Sequence, residues 1–258
     1  MTNVHIMIPI KTPSQIQTMR QSGQILARVL NLLVKEVKVG VGTKYLNDLA
    51  EKEIIKAGGW PIFKGYQGFP TAICSCLTTE IVHAPAIPDR ILQTGDLLTI
   101  DAGVRYPAKK GMVTDMAITV PVGPIDKEKE KLLKITRESL NLAIKKIKPG
   151  IHLGDISFII QEFVEKNGFN VIRDLVGHGV GEKLHEEPQI PNYGLKGTGP
   201  ILKAGMTLAI EPMVSIGHYA IALDKNRITY KMADDSPCAH FEHTILVTEK
   251  GGEILTKI

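Results

Sequence analysis

At 258 residues, 43% hydrophobic and 22% charged, the chain has the make-up of a folded domain, and its net charge of +4 comes without any basic run, so no specific nucleic-acid partner is expected. No stretch approaches an apolar membrane span, and no cationic region precedes the short apolar piece at the N-terminus, which argues against a signal peptide. Three cysteines, Cys74, Cys76 and Cys238, are odd in number and lack zinc-knuckle spacing, which fits reduced thiols and a cytoplasmic setting.

Lys11-Thr12-Pro13 predicts a helix start, with Thr12 as cap and Pro13 in the first helical position. Ile16, Met19, Leu26, Val29, Leu30 and Leu33 follow at helical spacing. A second helix is expected from Thr43 to the Gly58-Gly59 stop, with Leu46, Leu49 and Ile54 inward. Trp60 to Phe69 reads as irregular, and Ala72 to Val82 as a strand pair ended by His83-Ala84-Pro85. Leu97 to Val122 reads as a hairpin whose symmetry about Ala108 predicts that Asp101 and Asp115 face each other across the ladder. Charged, amphipathic helix is expected over Asp126 to Lys148, and a further helix from about Gly154 to Lys166. Strands and loops follow over Val171 to Val176, Gly177 to Gly181, Met206 to Ser215 and Arg227 to Val247.

The chain repeats itself. Leu92, Gly95, Leu98, Ile100, Asp101 and Val104 recur as Leu202, Gly205, Leu208, Ile210, Glu211 and Val214, an offset of 110 residues. The same register aligns Lys38 with Lys148, Gly40 with Gly150 and Gly58 with Gly168, so an internal duplication is expected. A second echo sets Asp115, Ile118 and Val120 against Glu242, Ile245 and Val247. The predicted fold is α+β in one domain over residues 1–258, with halves of roughly 12–123 and 126–258. Each half then supplies two acids embedded in apolar strands. An unpaired buried carboxylate costs several kcal/mol or takes up a proton, so four together require cations. Asp101, Asp115, Glu211 and Glu242 are accordingly expected to form a metal site.

Histidines supply the remaining donors. Gly177-His178-Gly179-Val180-Gly181 presents an imidazole on almost bare backbone, His185-Glu186-Glu187-Pro188 follows, and His83 ends the strand pair. Imidazole with carboxylate suits Co, Mn, Fe or Zn better than Mg or Ca. Glu186 and Glu187 are read as structural, whereas His240 is a candidate for supporting Glu242 from the same strand face.

Taken together, Asp101, Asp115, Gly177-His178-Gly179-Val180-Gly181, His185-Glu186-Glu187-Pro188, Ala209-Ile210-Glu211-Pro212-Met213 and Phe241-Glu242-His243-Thr244 resemble the type I methionine aminopeptidases over nearly the whole chain. The resemblance implies the pita-bread fold, an α+β fold with pseudo-twofold halves, a central antiparallel sheet and outer helices. It implies two divalent ions: Asp101 on one, His178 and Glu211 on the other, Asp115 and Glu242 bridging both. His83, His185 and Glu211 become the catalytic groups, and Phe63, Tyr66, Phe69, Cys74, Leu184 and Ile228 the pocket for a methionine side chain. An alkali-metal ion on carbonyls near Thr79 and Ile81 is also implied. Nascent polypeptide N-termini with a small second residue would be the partners, together with the ribosome, and a monomer is expected. This sequence departs from the family's pattern in a longer hairpin between Asp101 and Asp115, in Thr79, and in Ala84-Pro85 after His83. Proline-specific relatives of the same fold, and non-catalytic binding modules built on it, are the alternatives. The former usually carry a large extra N-terminal domain and the latter typically lose ligands.

Overall fold

The computed structural model describes residues 8–257, so most of the short apolar piece at the N-terminus lies outside the described residues. Helix α1 (Pro13–Glu36) begins at the expected cap. Gln15 N–H donates to Thr12 Oγ1, and the Thr12 N–H donates in return to Gln15 Oε1, satisfying two backbone donors reciprocally. It is followed by α2 (Thr43–Lys56) and by strands β1 (Trp60–Pro61), β2 (Cys74–Leu77), β3 (Glu80–Val82), β4 (Leu97–Tyr106) and β5 (Met112–Pro121). The second half opens with α3 (Lys127–Lys146) and α4 (Leu153–Lys166). Its strands are β6 (Asn170–Val171), β7 (Val176–Gly179), β8 (Glu186–Pro191), β9 (Thr207–Ile210), β10 (Met213–Ser215), β11 (Ile221–Leu223), β12 (Tyr230–Met232), β13 (Cys238–His240), β14 (His243–Thr248) and β15 (Gly251–Ile254).

Duplication is visible at the level of single hydrogen bonds. Helices α2 and α4 begin and end at residues 110 apart. Gly40 N–H donates to Leu92 O and Gly150 N–H to Leu202 O, each at 2.9 Å. Gly95 N–H reaches Val122 O at 3.0 Å, and Gly205 N–H reaches Val247 O at 2.9 Å. Gly95 and Gly205 hold φ of 92° and 90°, a left-handed conformation that disfavours any side chain.

Each half has its own apolar core beneath its helices. Leu26, Leu30, Leu46, Ile54, Leu98 and Ile100 fill the first, and Leu140, Ile156, Ile160, Leu208, Ile210 and Ile245 the second. Every recorded strand pairing is antiparallel. The halves meet where β5 runs beside β13 and β14, and two threonine hydroxyls join them. Thr244 Oγ1 accepts from Asp115 N–H and donates to Asp115 O, both at 2.8 Å. Thr119 Oγ1 accepts from His240 N–H at 2.9 Å and donates to His240 O at 2.8 Å. Between them a direct backbone bond, from Glu242 N–H to Ala117 O at 2.9 Å, completes the seam.

Three expectations need correction. Asp101 and Asp115 do not stand opposite one another: Asp101 pairs with Ala117 and Asp115 with Gly103, because the hairpin is centred one residue beyond Ala108. The offset is even, so both acids still share a face. Val171 to Val176 is not one strand, since only its ends pair, in β6 and β7. His240 and Glu242 do not lie on one continuous strand either, because the chain breaks at Phe241-Glu242 between β13 and β14.

Candidate metal centre

Five elements deliver five donors to one place: Asp101 from β4, Asp115 from β5, His178 from β7, Glu211 just after β9, and Glu242 before β14. Oxygens of Asp115 and Glu242 and a nitrogen of His178 lie within 4.8 Å of one another. His178 Nε2 is 3.6 Å from Glu211 Oε1 and 3.9 Å from Asp115 Oδ2. Asp101 joins them electrostatically, being raised by Glu211 and itself raising Asp115 and Glu242. Glycines flanking His178 are dictated by packing. A Cβ on Gly177 would stand 2.4 Å from Ala209 O, and one on Gly179 would stand 2.1 Å from Glu187 O, so β7 can lie between β8 and β9 only without side chains there.

The four carboxyls are buried, and burial first, then their mutual repulsion, pushes each well above the ordinary carboxylate range. None is paired with a lysine or arginine among the ion pairs of the described residues. The histidines do not supply the missing charge, because burial pushes His178 and His240 down to about 3 and keeps both neutral. The close approaches of His178 and His240 to carboxylate oxygens are therefore not ion pairs. His178 Nδ1 lies 2.9 Å from Gly179 O, which can only accept, so Nδ1 carries the proton and the Nε2 lone pair points at the acids. Asp101 Oδ1 and Glu242 Oε1 are buried without any hydrogen-bond partner. Bare carboxylate oxygens, a bare imidazole nitrogen and no internal cation together fit divalent metal ions.

Around this cluster lies a cleft of about 880 Å³. It brings in the six pocket candidates, Phe63, Tyr66, Phe69, Cys74, Leu184 and Ile228, together with His83 and His185. Phe63 and Phe69 meet edge to face at 6.4 Å, and the Phe63 ring occupies space that a side chain at Gly103, opposite Asp115, would need. Tyr66 Oη is 2.9 Å from His185 Nδ1, and the His178 and His185 rings meet at right angles with centroids 4.4 Å apart. His83 sits at φ 60° with its ring edge-on to Tyr230, and Ala84-Pro85 after it is held by Arg90, which donates to Pro85 O and ion-pairs with Glu80. Burial lowers the pKa of both His83 and His185.

Sequence reasoning underrated His240, whose Nε2 stands 3.5 Å from Glu211 Oε2. Its place within the short apolar run Cys238-Ala239-His240-Phe241 was the available signal. Val82, Leu175, Val176 and Met213 also line the cleft. They carry no local signal, since each reads as an ordinary core residue. Glu186, read as structural, has its carboxylate buried against Lys11.

The structure is thus an α+β fold of two like halves around buried acids and imidazole. The profile of Metallopeptidase family M24 matches residues 17–249. The chain is 46% identical to methionine aminopeptidase 1 of Bacillus subtilis, covering 98% of this chain and 100% of that protein. It is 44% identical to the methionine aminopeptidase of Clostridium acetobutylicum over 97% of this chain and 99% of that one. Among solved structures, the methionine aminopeptidase of Thermotoga maritima superposes with a TM-score of 0.95 at 47% identity, over 98% of this chain and 100% of that chain. The chain belongs to metallopeptidase family M24 and, within it, to the methionine aminopeptidases. The prolidase of Pyrococcus horikoshii shares the fold, with a TM-score of 0.75 at 21% identity, and this chain spans 63% of it. Among the described residues no helix is long and apolar enough to cross a membrane.

Proposed function

We propose that this chain removes the N-terminal methionine from nascent polypeptides by metal-assisted hydrolysis. One observation carries the reading: four buried carboxyls and a neutral imidazole converge, without internal cations, beside a cleft walled by aromatic and aliphatic side chains. Two divalent ions of Co, Mn, Fe or Zn, held by Asp101, Asp115, His178, Glu211 and Glu242, would supply a water of lowered pKa and a seat for the free amine of the substrate.

This chain's own groups do the rest. Glu211 takes the proton of the attacking water and passes it to the leaving nitrogen. His240 Nε2, close to the other Glu211 oxygen, limits how that carboxylate can turn. His185 donates from Nε2 to the carbonyl oxygen as charge develops there, and a hydroxyl proton from Tyr66 to Nδ1 selects that tautomer. His83 hydrogen-bonds near the departing amide. Phe63, Tyr66, Phe69, Cys74, Leu184 and Ile228 hold the methionine side chain by dispersion and sulfur–aromatic contact. The chain acts as one catalytic domain over 1–258, with halves of about 12–123 and 126–258. It works as a cytoplasmic monomer at the ribosome on chains with a small second residue. An alkali-metal ion on carbonyls near Thr79 and Ile81 would brace the β2–β3 turn.

The test is hydrolysis of Met-Ala-Ser and Ala-Pro-Ser by metal-stripped protein resupplied with Co, Mn or Fe. Metal-dependent release of methionine from the first peptide alone is expected. Cleavage of the second instead would move the chain to proline-specific chemistry. Cleavage of neither, with no metal retained, would make it a binding module.

A further inference from the structure

Lys11 precedes the cap of α1, and its backbone N–H donates to Gly205 O at 2.8 Å, which holds it against the second half. Its ammonium lies 2.6 Å from Glu186 Oε2, with the two side chains 2% and 6% exposed. Glu186 Oε1 in turn accepts from Lys183 N–H at 3.0 Å, and Gly181 N–H donates to Lys183 O at 3.0 Å. Residues 181–186 therefore form a loop fastened by one carboxylate, and Leu184 and His185 lie inside it. The lysine stem fills the space where a Cβ on Gly181 would stand, 2.2 Å from its Cε. The last glycine of Gly177-His178-Gly179-Val180-Gly181 thus makes room for Lys11. A second tie runs alongside, from Gln15 Nε2 to Glu182 Oε1 at 2.7 Å.

A buried ion pair adds little net stability, because the cost of desolvating both charges offsets their attraction. Its contribution is geometric. Without the ammonium nothing keeps the Glu186 carboxylate turned inward, and the Lys183 N–H that it accepts loses its partner, which loosens the loop leading into β8 through His185. We propose that Lys11 is a positioning residue for the reaction: its buried pair with Glu186 fixes the loop that aims the His185 imidazole. This rests on the reading of His185 as the donor to the carbonyl oxygen.

The experiment is a double-mutant cycle on the metal-loaded, full-length protein with Met-Ala-Ser, combining Lys11→Met with His185→Ala. Displacement of a reacting group by about 1 Å costs up to 100-fold. Lys11→Met is therefore expected to lower kcat on the order of 10- to 100-fold with KM nearly unchanged and bound metal unchanged, and Lys11→Arg to recover most of that loss. In the His185→Ala background the same substitution should change kcat less than about twofold, because there is no longer an imidazole to aim. An equal loss in both backgrounds overturns the proposal and leaves the His185 reading intact. Full activity of His185→Ala alone overturns both. Should Lys11→Met fail to fold, Lys11→Met with Glu186→Gln keeps the shape and leaves no unpaired charge. Its kcat should remain low, and recovery to the parent value overturns the proposal.

Discussion

Glu211 is the proposed base of the reaction. Its carboxyl is raised in the absence of cations by burial and by Asp115, so its availability as a base depends on positive charge arriving in the cluster. Glu211→Gln keeps the size and removes the base. It should lower kcat by roughly 10²- to 10⁴-fold, the usual worth of a positioned general base, measured by methionine release under saturating metal. Tyr66 makes a separable claim. Tyr66→Phe keeps the ring in the pocket and removes only the hydroxyl on His185 Nδ1. Orienting partners of this kind are worth roughly 10- to 100-fold. The loss should fall on kcat, and a loss confined to KM would mean that Tyr66 serves the pocket alone.

The seam between the halves is a matter of elements, and Thr244 shows how narrow it is. One hydroxyl pairs with both backbone groups of Asp115, itself a candidate ligand, while β14 pairs with β9 on its other side. Thr244→Val is nearly isosteric but leaves a buried N–H and a buried C=O unpaired. Leaving such groups unsatisfied costs about 1–3 kcal/mol each, so denaturant unfolding should show a loss of about 2 kcal/mol or more. Affinity for manganese should fall as well, since Asp115 loses its anchor. An unchanged metal titration in a destabilised Thr244→Val protein would separate the seam from the site. Thr119, which does the same for His240, is the natural comparison.

For the molecule as a whole, the cluster links folding to pH and to metal. In metal-free protein the folded-state pKa values of Asp101, Asp115, Glu211 and Glu242 are raised, so the folded form holds protons that the unfolded chain has released. Stability from such groups is complete below the ordinary carboxylate range and is lost as pH rises through the raised values. His178 and His240, pushed down to about 3, act in the opposite sense, but only below the ordinary histidine value of 6.5, above which they are neutral in both states. Above pH 6.5, where the histidines are increasingly neutral in both states, the raised carboxyls give stability a falling or level course with pH, never a rising one. Metal should raise the melting temperature of stripped protein, since a ligand bound only by the folded state stabilises it by mass action. A melting temperature of stripped protein that climbs between pH 6.5 and about 8, below the ordinary cysteine value, would contradict the crowding of acids.

Local anomalies and long-range repetitions are legible in the chain before it folds. An acid inside an apolar strand is costly wherever that strand goes, so Asp101 and Glu211 stood out without coordinates. A repeat at a fixed offset implies like halves, and the pairing of Gly40 with Gly150 and of Gly95 with Gly205 reappears as matched hydrogen bonds and matched left-handed turns. The family followed from the same residues. Which strands meet, and in what register, emerges only on folding. The hairpin shift that sets Asp115 against Gly103 comes from where a loop closes, and the loop's composition allowed either centring. The partners of Thr244, the burial of Lys11 against Glu186 across 175 residues, and the arrival of Val82 and Met213 in the cleft depend on long-range packing. Hydroxyls, lysines and valines are unremarkable anywhere in a chain, and they acquire a role only through the neighbours that folding brings to them.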